Sequence, residues 1–578
     1  MKDTKEILQK RIEVASGRKK ADLVIKNCKV VNVYSGEIIE GNIAISDGTI
    51  AGVGDYQGVD EIDAHGKYAL PGFIDGHIHI ESSYVSPEEI GRLLVPHGGT
   101  TIMADPHEIV NVCGIRGLDY MMEAAKHTKL DIIYALPSCV PSTPFENAGA
   151  TIEASDMEEP IYREAIFGLG EFMNSVGVVN NDESCIDKIM VAKKADKLID
   201  GHCPGSSGLM LNAYAGAGIL ADHECSTVEE MQERINSGMY VLLRQGSACK
   251  DLRGLLKGVT EANSRRCMLC SDDRQPKTIF EEGHLDDHLR ICVEEGIDPI
   301  TAIRMATLNA AEAFRLYDRG AIAPGKRADI VLVDDLSSFA VDEVFIEGEL
   351  VAKSGEYIPK VEKYSIDSVK GSITLKDFSA DRLKMNLKSD KVNAIGVIPG
   401  DVITAKKVVT VERSLDGDFV YNPDADVAKM AVVERHHNTG NVACALLAGY
   451  GIKQGAVAVT IAHDSHNIIA VGVSNEEIAA AVEAVKNQEG GIVLVKDGKV
   501  IESMPMPIAG LMSDQPGEYV SERLTAIHDK AYSELGINKE VEPVMTLTFM
   551  SLAVIPELKL TDMGLFDVTK FEFIEQEA

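Results

Sequence analysis

The chain has 578 residues and a formal net charge of −33 at pH 7, from 57 Lys and Arg against 90 Asp and Glu. Its hydrophobic share of 45% and charged share of 25% are ordinary for a globular protein and argue against general disorder or a fibrous fold. The strong acidity disfavours a nucleic acid or an anionic membrane as partner, because both would be repelled.

Targeting and redox signals are missing from the sequence. Residues 1–10 contain no apolar signal segment, and no apolar run reaches the length of a membrane span. The 11 cysteines are sparse and odd in number, which predicts reduced thiols in a cytoplasmic protein. Cys267 and Cys270 form one CxxC, but the apolar residues between them favour a buried strand over a zinc site.

Two β-rich segments flank a long middle segment. Residues 22–54 read as short strands, with Asp47-Gly48 as a hairpin turn, and a similar texture returns at 320–353. We therefore predict one small composite β domain, built from residues 1–70 and 318–365, with the middle segment inserted into it.

The middle segment alternates short apolar runs with helix-compatible stretches. Eight such runs follow one another, at 72–80, 100–106, 131–138, 165–172, 197–204, 218–224, 239–246 and 267–273. Strand and helix alternating eight times is typical of a (β/α)₈ barrel. The predicted fold class is therefore α/β, with a TIM-like barrel over residues 71–317.

Residues 366–578 form a further region with strand-like runs and one helical stretch at 475–487. Asp497-Gly498 is a plausible hairpin turn within it. We predict a C-terminal α+β domain.

Ligand-type side chains stand at the ends of the predicted barrel strands. His77 and His79 are two apart on an extended strand, so both imidazoles point to the same side. Later runs end at Glu171, His202, His223 and Asp272. Because the C-terminal strand ends of a barrel form one face, these six groups should converge.

Four imidazoles and two carboxylates suit two adjacent divalent ions such as Zn²⁺, Mn²⁺ or Fe²⁺. Such a pair lowers the pKa of a bound water and serves hydrolysis at a polarised C–N or C=O centre. Each residue also has a structural interpretation: the histidines could bond loop carbonyls, and Glu171 could pair with a Lys or Arg. Asp272 could cap the following helix, although Asp273 is the better capping candidate.

Other polar residues surround the predicted centre. Asp105, His107 and Glu108 follow the second strand, and Glu81 lies just beyond His79. They could orient the metal ligands, contact substrate, hold a further ion or belong to an ordinary loop. Arg244 ends the seventh strand, where a substrate contact and a salt bridge are equally compatible with its position.

A dense polar motif, HDSHN, follows an apolar run in the C-terminal region and contains His463, Asp464 and His466. It could reach over the barrel mouth, bind a cation, or form a solvated turn.

These motifs resemble a known family. The segment ALPGFIDGHIHIESS, with the Gly-x-Ile-Ala-Pro-Gly-Lys-x-Ala-Asp-Ile-Val motif at 320–331, is similar to the metal-dependent amidohydrolase superfamily. HIHIESS, ADPHEIVNVCG, GLGEFMN, DGHCPG, ADHE, SDDR and HDSHN resemble the bacterial and archaeal adenine deaminase family, over almost the whole chain. The bridging position, a modified lysine in many members of the superfamily, is Glu171 here.

The resemblance implies hydrolysis of adenine to hypoxanthine and ammonia, in purine salvage. It also implies a metal centre that uses Mn²⁺ or Fe²⁺, with Zn²⁺ as a further candidate. The implied ligands are His77, His79, Glu171, His202, His223 and Asp272. Asp272 would move the proton, Glu171 would help hold the nucleophile, and Glu81 or His107 would assist at a ring nitrogen. The expected partner is a small-molecule substrate, and a homodimer is the base-rate expectation.

Two alternatives differ from this interpretation. A cyclic amide hydrolase of the same superfamily, of the dihydroorotase or hydantoinase type, would share the barrel and the metals. A metal-free scaffold that assembles with partners would lack the ligands, yet all six are present in the sequence.

Overall fold

A computed structural model describes residues 4–578, so residues 1–3 of the predicted composite domain lie outside the described part of the chain. The chain begins with helix α1 (Lys5–Ala15), which Thr4 caps by accepting a hydrogen bond from the Ile7 N–H. Five strands follow: β1 (Ala21–Asn32), β2 (Glu37–Ser46), β3 (Thr49–Gly54), β4 (Gly58–Asp63) and β5 (Tyr68–Pro71). Asp47 and Gly48 join β2 to β3 with φ of +48° and +69°, the left-handed conformation that a two-residue hairpin requires.

Eight parallel strands come next and form the barrel. They are β6 (Phe73–Ile78), β7 (Gly99–Ala104), β8 (Asp131–Leu136), β9 (Ile166–Phe172), β10 (Leu198–Gly201), β11 (Ala221–Asp222), β12 (Tyr240–Arg244) and β13 (Cys267–Cys270). Seven of them lie within one of the eight apolar runs, and β7 begins one residue before its run, at Gly99. Cys267 and Cys270 are buried strand residues, as predicted. The α/β fold class with a TIM-like barrel is therefore confirmed.

The barrel is closed between its first and last strands. The strands pair in chain order from β6 to β10 and from β11 to β13. Just beyond β13, the Asp272 N–H donates to the His77 carbonyl at 2.9 Å, and the His79 N–H donates to the Asp272 carbonyl at 3.1 Å. Closure therefore brings the first and eighth strand ends together at one rim.

Helices follow most of the barrel strands and cover its outside. They are α2 (Pro87–Leu94), α3 (His107–Cys113), α4 (Ile115–Ala124), α5 (Ala154–Met157), α6 (Ser175–Val179), α7 (Glu183–Lys194), α8 (Gly208–Gly216), α9 (Val228–Asn236), α10 (Leu252–Leu255), α11 (Pro276–Glu282), α12 (Leu285–Glu294), α13 (Pro299–Ala306) and α14 (Leu308–Ala313). Gln275 precedes α11 at the N-cap position, so neither Asp272 nor Asp273, the two capping candidates in the sequence, caps this helix.

The chain then returns to the first sheet. The strands β14 (Ile330–Val333), β15 (Val341–Ile346), β16 (Glu349–Lys353) and β17 (Glu356–Tyr357) extend it. Because β14 pairs antiparallel with β5, the nine-stranded sheet contains strands from both sides of the barrel segment.

The remaining elements form the C-terminal domain. Its strands are β18 (Lys391–Val397), β19 (Thr404–Thr410), β20 (Glu412–Arg413), β21 (Phe419–Val420), β22 (Val427–Val433), β23 (Val442–Ala448), β24 (Ala456–Val459), β25 (Ile468–Gly472), β26 (Gly491–Lys496), β27 (Lys499–Pro505), β28 (Leu558–Thr561), β29 (Gly564–Asp567) and β30 (Glu572–Phe573). Its helices are α15 (Asn475–Asn487), α16 (Gly517–Ser533) and α17 (Met545–Thr548). Eight of the strands form one sheet, in the order β19-β18-β23-β22-β25-β24-β26-β27.

The C-terminal domain packs against the barrel. One hydrophobic cluster runs through both units, and polar contacts reinforce it. The Asn467 side chain donates to the Asn147 carbonyl at 2.9 Å, and the Ser513 N–H donates to the Tyr84 carbonyl at 2.8 Å. Within residues 4–578, we find no helix with the length and apolar character needed to cross a membrane.

The shared core gives a stability prediction. Leu494 on β26 is fully buried, so Leu494→Ala should lower the free energy of unfolding by about 2–5 kcal/mol through lost burial and a residual cavity. Urea denaturation followed by circular dichroism measures this change. Leu415→Ala is the control, because Leu415 is fully exposed and its loss should change little. Equal effects of the two substitutions would contradict the packing described here.

Candidate metal centre

Six ligand-type side chains meet at the C-terminal rim of the barrel. His77 lies on β6 and Glu171 on β9, while the other four follow β6, β10, β11 and β13 directly or within two residues. All are buried except His202, which is partly exposed. The structure therefore brings together the side chains predicted to converge: His77, His79, Glu171, His202, His223 and Asp272.

The two histidines at the end of the first barrel strand, β6, face each other through their Nε2 atoms. The Nδ1 of His79 lies 2.9 Å from the Asp105 carbonyl oxygen, which can only accept, so this Nδ1 carries a proton. The Nδ1 of His77 lies 3.1 Å from the Asp200 carboxylate in the same way. In neutral rings both Nε2 atoms then carry lone pairs, and they face each other at 3.1 Å. Two such lone pairs repel unless a cation lies beside them, so this geometry fits a metal ion.

Glu171 is the centre of the cluster. Its Oε2 lies 3.0 Å from the His202 Nδ1 and 3.1 Å from the His223 Nε2. Its Oε1 lies 3.8 Å from the His79 Nε2. Burial alone would raise the pKa of this carboxyl, but the adjacent imidazoles of His202 and His223 hold it well below its usual range. Glu171 is therefore an ionised carboxylate that faces imidazoles on both of its sides.

Asp272 is held between an imidazole and a guanidinium. Its Oδ1 lies 3.2 Å from the His79 Nε2, and its Oδ2 accepts from Arg244 at 3.0 Å. Against the effect of burial, the adjacent imidazole of His79 and the charge of Arg244 hold the pKa of Asp272 well below its ordinary value. Arg244 also pairs with Asp251 at 3.0 Å and with Glu224, so the structure shows salt bridges at this position.

The loop after β7 supports Glu171. The Asp105 Oδ2 accepts from the Glu171 N–H at 2.8 Å, and the His107 Nδ1 lies 3.3 Å from the Glu171 Oε1. Burial, followed by repulsion from Glu171, raises the pKa of Asp105 to about 7. Burial lowers the pKa of His107 to about 3. Both residues therefore lie directly beside the ligand cluster.

Glu81 and Glu108 lie further along the rim. The Glu81 Oε1 accepts from the Ile109 N–H at 3.1 Å, whereas its buried Oε2 has no hydrogen-bond partner. Burial raises the pKa of Glu81 to about 7. The Glu108 Oε1 accepts from the Ser82 hydroxyl at 2.9 Å.

The HDSHN motif lies over the barrel mouth. The His463 Nδ1 is 3.7 Å from the Glu108 Oε1, and the Asp464 Oδ1 is 3.9 Å from the His107 Nε2. His466 is fully buried and neither ring nitrogen has a hydrogen-bond partner. The motif is therefore packed between the two units instead of forming a solvated turn.

Several polar residues at the site were not singled out from the sequence. Asp200 orients His77, and its position two residues before His202 on one strand end was a usable signal. Asp75 accepts from the Ser271 N–H at 3.0 Å and lies 2.8 Å from the His284 Nε2. No local pattern indicates this contact, because barrel closure alone brings Asp75 and His284 together.

The ligand atoms form overlapping groups. One group contains His77, His79 and Glu171, and another contains Glu171, His202 and His223, with the ligand atoms of each group within 4.8 Å of one another. Neutral imidazoles and carboxylates are ligands for borderline and hard divalent ions. The arrangement can therefore hold divalent metal, with Glu171 common to both groups.

A (β/α)₈ barrel with imidazoles and carboxylates at its C-terminal rim defines the amidohydrolase class, whose members use divalent metal. The Amidohydrolase family model matches residues 68–351, and the model of the Adenine deaminase C-terminal domain matches residues 401–572. A protein of Desulfotalea psychrophila named adenine deaminase 2 is 64% identical over 99% of this chain and 100% of its own length. A protein of Ligilactobacillus salivarius named adenine deaminase is 56% identical over 99% of both chains. The chain belongs to the adenine deaminase family, and the resemblance seen in the sequence is confirmed.

A buried ion pair behind the centre gives a testable prediction. The fully buried Arg234 donates to Asp222 at 2.9 Å and to the carbonyls of Cys203 and Ser206 at 2.7 and 2.8 Å, which holds the loop next to His202. Arg234→Met leaves Asp222 buried without its cation and should cost about 3–5 kcal/mol of stability. Thermal unfolding measures the loss, and metal content should fall with it.

Arg253→Met is the matched control. Arg253 pairs with Glu294 and Glu295, but its side chain is half exposed, so its loss should change stability by no more than about 0.5 kcal/mol. An Arg234→Met protein as stable as the control would show that this ion pair does not hold the loop.

Proposed function

We propose that the chain deaminates adenine by hydrolysis, giving hypoxanthine and ammonia. The observation that carries the proposal is the buried cluster centred on Glu171, in a chain that is similar over its full length to proteins named adenine deaminase. The reaction would serve purine salvage in the cytoplasm, and the partner is a small-molecule substrate. A homodimer stays a base-rate prediction.

The proposed metal ligands are His77, His79, Glu171, His202, His223 and Asp272. Glu171 belongs to two ligand groups, which supports a binuclear centre in which Glu171 would serve as a ligand in both groups. The resemblance favours Mn²⁺ or Fe²⁺, and the same nitrogen and oxygen donors also suit Zn²⁺. When bound, such ions supply Lewis acidity and lower the pKa of water so that a nucleophile exists near neutral pH.

Side chains of the protein would orient the reacting groups and transfer protons between them. Asp272 is proposed to accept a proton at Oδ1, the oxygen that faces His79, and to pass it to the departing amine. Its other oxygen is held by Arg244, which fixes the orientation of the carboxylate. Glu81, with an unpartnered Oε2, and His107, beside Glu171, are the candidates for assisting at a ring nitrogen.

The nearest alternative is a cyclic amide hydrolase of the dihydroorotase or hydantoinase type. It would use the same barrel and ligands, so the metal centre cannot separate the two functions. The match of residues 401–572 to the Adenine deaminase C-terminal domain favours adenine.

Metal removal and restoration tests the proposed function. Purified protein should release ammonia from adenine, lose this activity after chelation, and regain it when Mn²⁺, Fe²⁺ or Zn²⁺ is returned. Metal analysis should show about two ions per chain in the active protein. Ring opening of dihydroorotate or a hydantoin, without ammonia release from adenine, would favour the alternative.

Asp272→Asn tests the proton carrier. The amide keeps the size of the side chain but neither ligates well nor accepts a proton, so kcat should fall on the order of 10³-fold. Asp196→Asn is the control, because the Asp196 side chain is 92% exposed and lies before the start of β10, at the end of this strand opposite to His202. Near-normal turnover by Asp272→Asn, with unchanged metal content, would remove Asp272 from the mechanism.

A further inference from the structure

His466 of the HDSHN motif is a buried imidazole that forms no hydrogen bond. Its side chain is fully buried, and neither Nδ1 nor Nε2 has a hydrogen-bond partner among residues 4–578. By contrast, His436 and His437 of the same domain each place an Nε2 2.7 Å from a backbone carbonyl oxygen. Buried polar groups are almost always satisfied by protein atoms, by water or by an ion, so the ring of His466 points to a ligand.

His466 converges with two other metal-ligating side chains where the two units meet. His463 comes from the same motif in the C-terminal domain, and Glu108 comes from α3 of the barrel. One ligand atom from each of the three lies within 4.8 Å of the other two. The His463 Nδ1 and the Glu108 Oε1 are 3.7 Å apart, close to the ~3.4 Å that separates two ligands of a tetrahedral zinc ion. Two imidazoles and one carboxylate therefore form a possible ligand set for one ion.

The space beside these side chains is small. Glu108 and His463 line a narrow cavity between the barrel mouth and the C-terminal domain, together with Ser82 and Asp273. The cavity has room for about one water molecule. An ion held by three side chains, with one water as its fourth ligand, is compatible with this space, whereas an organic ligand is not.

The charges around the cavity favour a cation. Asp273 lines it, and the Asp464 Oδ1 lies 3.9 Å from the His463 Nδ1. In the part of the chain that the structure describes, the buried Asp273 Oδ1 and Asp464 Oδ2 have no hydrogen-bond partner. Arg435 opposes a cation, because its Nε donates to the His466 carbonyl and brings a positive charge near this residue. The three carboxyl groups at the site outnumber this one guanidinium, so their attraction for a cation exceeds its repulsion.

We propose that Glu108, His463 and His466 bind a further divalent cation, which links the barrel to the C-terminal domain. Imidazole nitrogen and carboxylate oxygen suit Zn²⁺ and similar ions. This ion is additional to the pair at the proposed metal centre, and the inference does not depend on the reaction of that centre. Because Arg435 reduces the affinity, we expect this ion to bind more weakly than the pair and to leave when free metal is removed.

Equilibrium dialysis of the full-length protein against increasing Zn²⁺, followed by metal analysis, tests the proposal. The wild-type protein should reach about three ions per chain, of which the last binds in a separate, weaker step. Glu108→Gln keeps the shape of the side chain but removes its charge. His466→Asn removes the imidazole, and asparagine suits the left-handed backbone at φ +54°. In each variant this last step should need at least about 10-fold more Zn²⁺.

His65→Asn is the matched control, because His65 has the same left-handed backbone at φ +52° and its side chain is 77% exposed in the composite β domain. It should bind Zn²⁺ like the wild-type protein. Thermal unfolding gives a second readout, since occupation of the further site should raise the Tm of the wild-type and His65→Asn proteins. The same Zn²⁺ concentration should not raise the Tm of Glu108→Gln or His466→Asn above that of their two-ion forms.

A wild-type protein that saturates at about two ions per chain would overturn the proposal. Wild-type affinity for the last ion in Glu108→Gln or His466→Asn would overturn it as well, because the ion would then lie elsewhere. Neither measurement uses enzymatic activity. A protein that binds the further ion but releases no ammonia from adenine would therefore refute only the proposed function.

Discussion

Closure of the barrel between its first and eighth strands is the constraint on which the site depends. The backbone hydrogen bonds that link His77, Asp272 and His79 set the two strand ends side by side. Asp75 adds to this link between the first and eighth strands, because its buried carboxylate accepts a hydrogen bond from Ser271 and faces His284. Without these contacts between the two strands, Asp272 would have no imidazole partner. The proposed ligands His79 and Asp272 would then follow separate strands with nothing to hold them in register.

The proposed metal centre also brings charged side chains together in a buried part of the protein. Burial penalises ionised groups, yet the carboxylates of Glu171 and Asp272 keep low pKa values because imidazoles and Arg244 surround them. When both rings are neutral, the lone pairs on the facing Nε2 atoms of His77 and His79 repel each other, and a bound cation would remove this repulsion. The apolar barrel thus stabilises the shape of the site, while the imidazole and carboxylate groups gathered there are ligands that suit a divalent cation.

The C-terminal domain covers part of the barrel rim. The HDSHN motif packs against the start of α3, where His107 and Glu108 lie. Residues of α17 face Ser82, Glu108 and Asp273 across a narrow cavity. Catalytic barrels usually cover their rim with their own βα loops. Here a separate unit also lies over the rim, and one hydrophobic cluster runs through both units.

The sequence by itself determined the eight-strand rhythm, because apolar runs and turn residues act locally, and it determined which strand ends carry imidazoles and carboxylates. It could not show that Asp75 faces His284, that Arg244 forms salt bridges with Asp272 and Asp251, or that Gln275 and not Asp273 precedes the next helix. HDSHN was visible as a motif, but the sequence left open whether it reaches over the barrel mouth, binds a cation or forms a solvated turn. These features depend on contacts between residues far apart in the chain. Such contacts form only when barrel closure and packing bring those residues together.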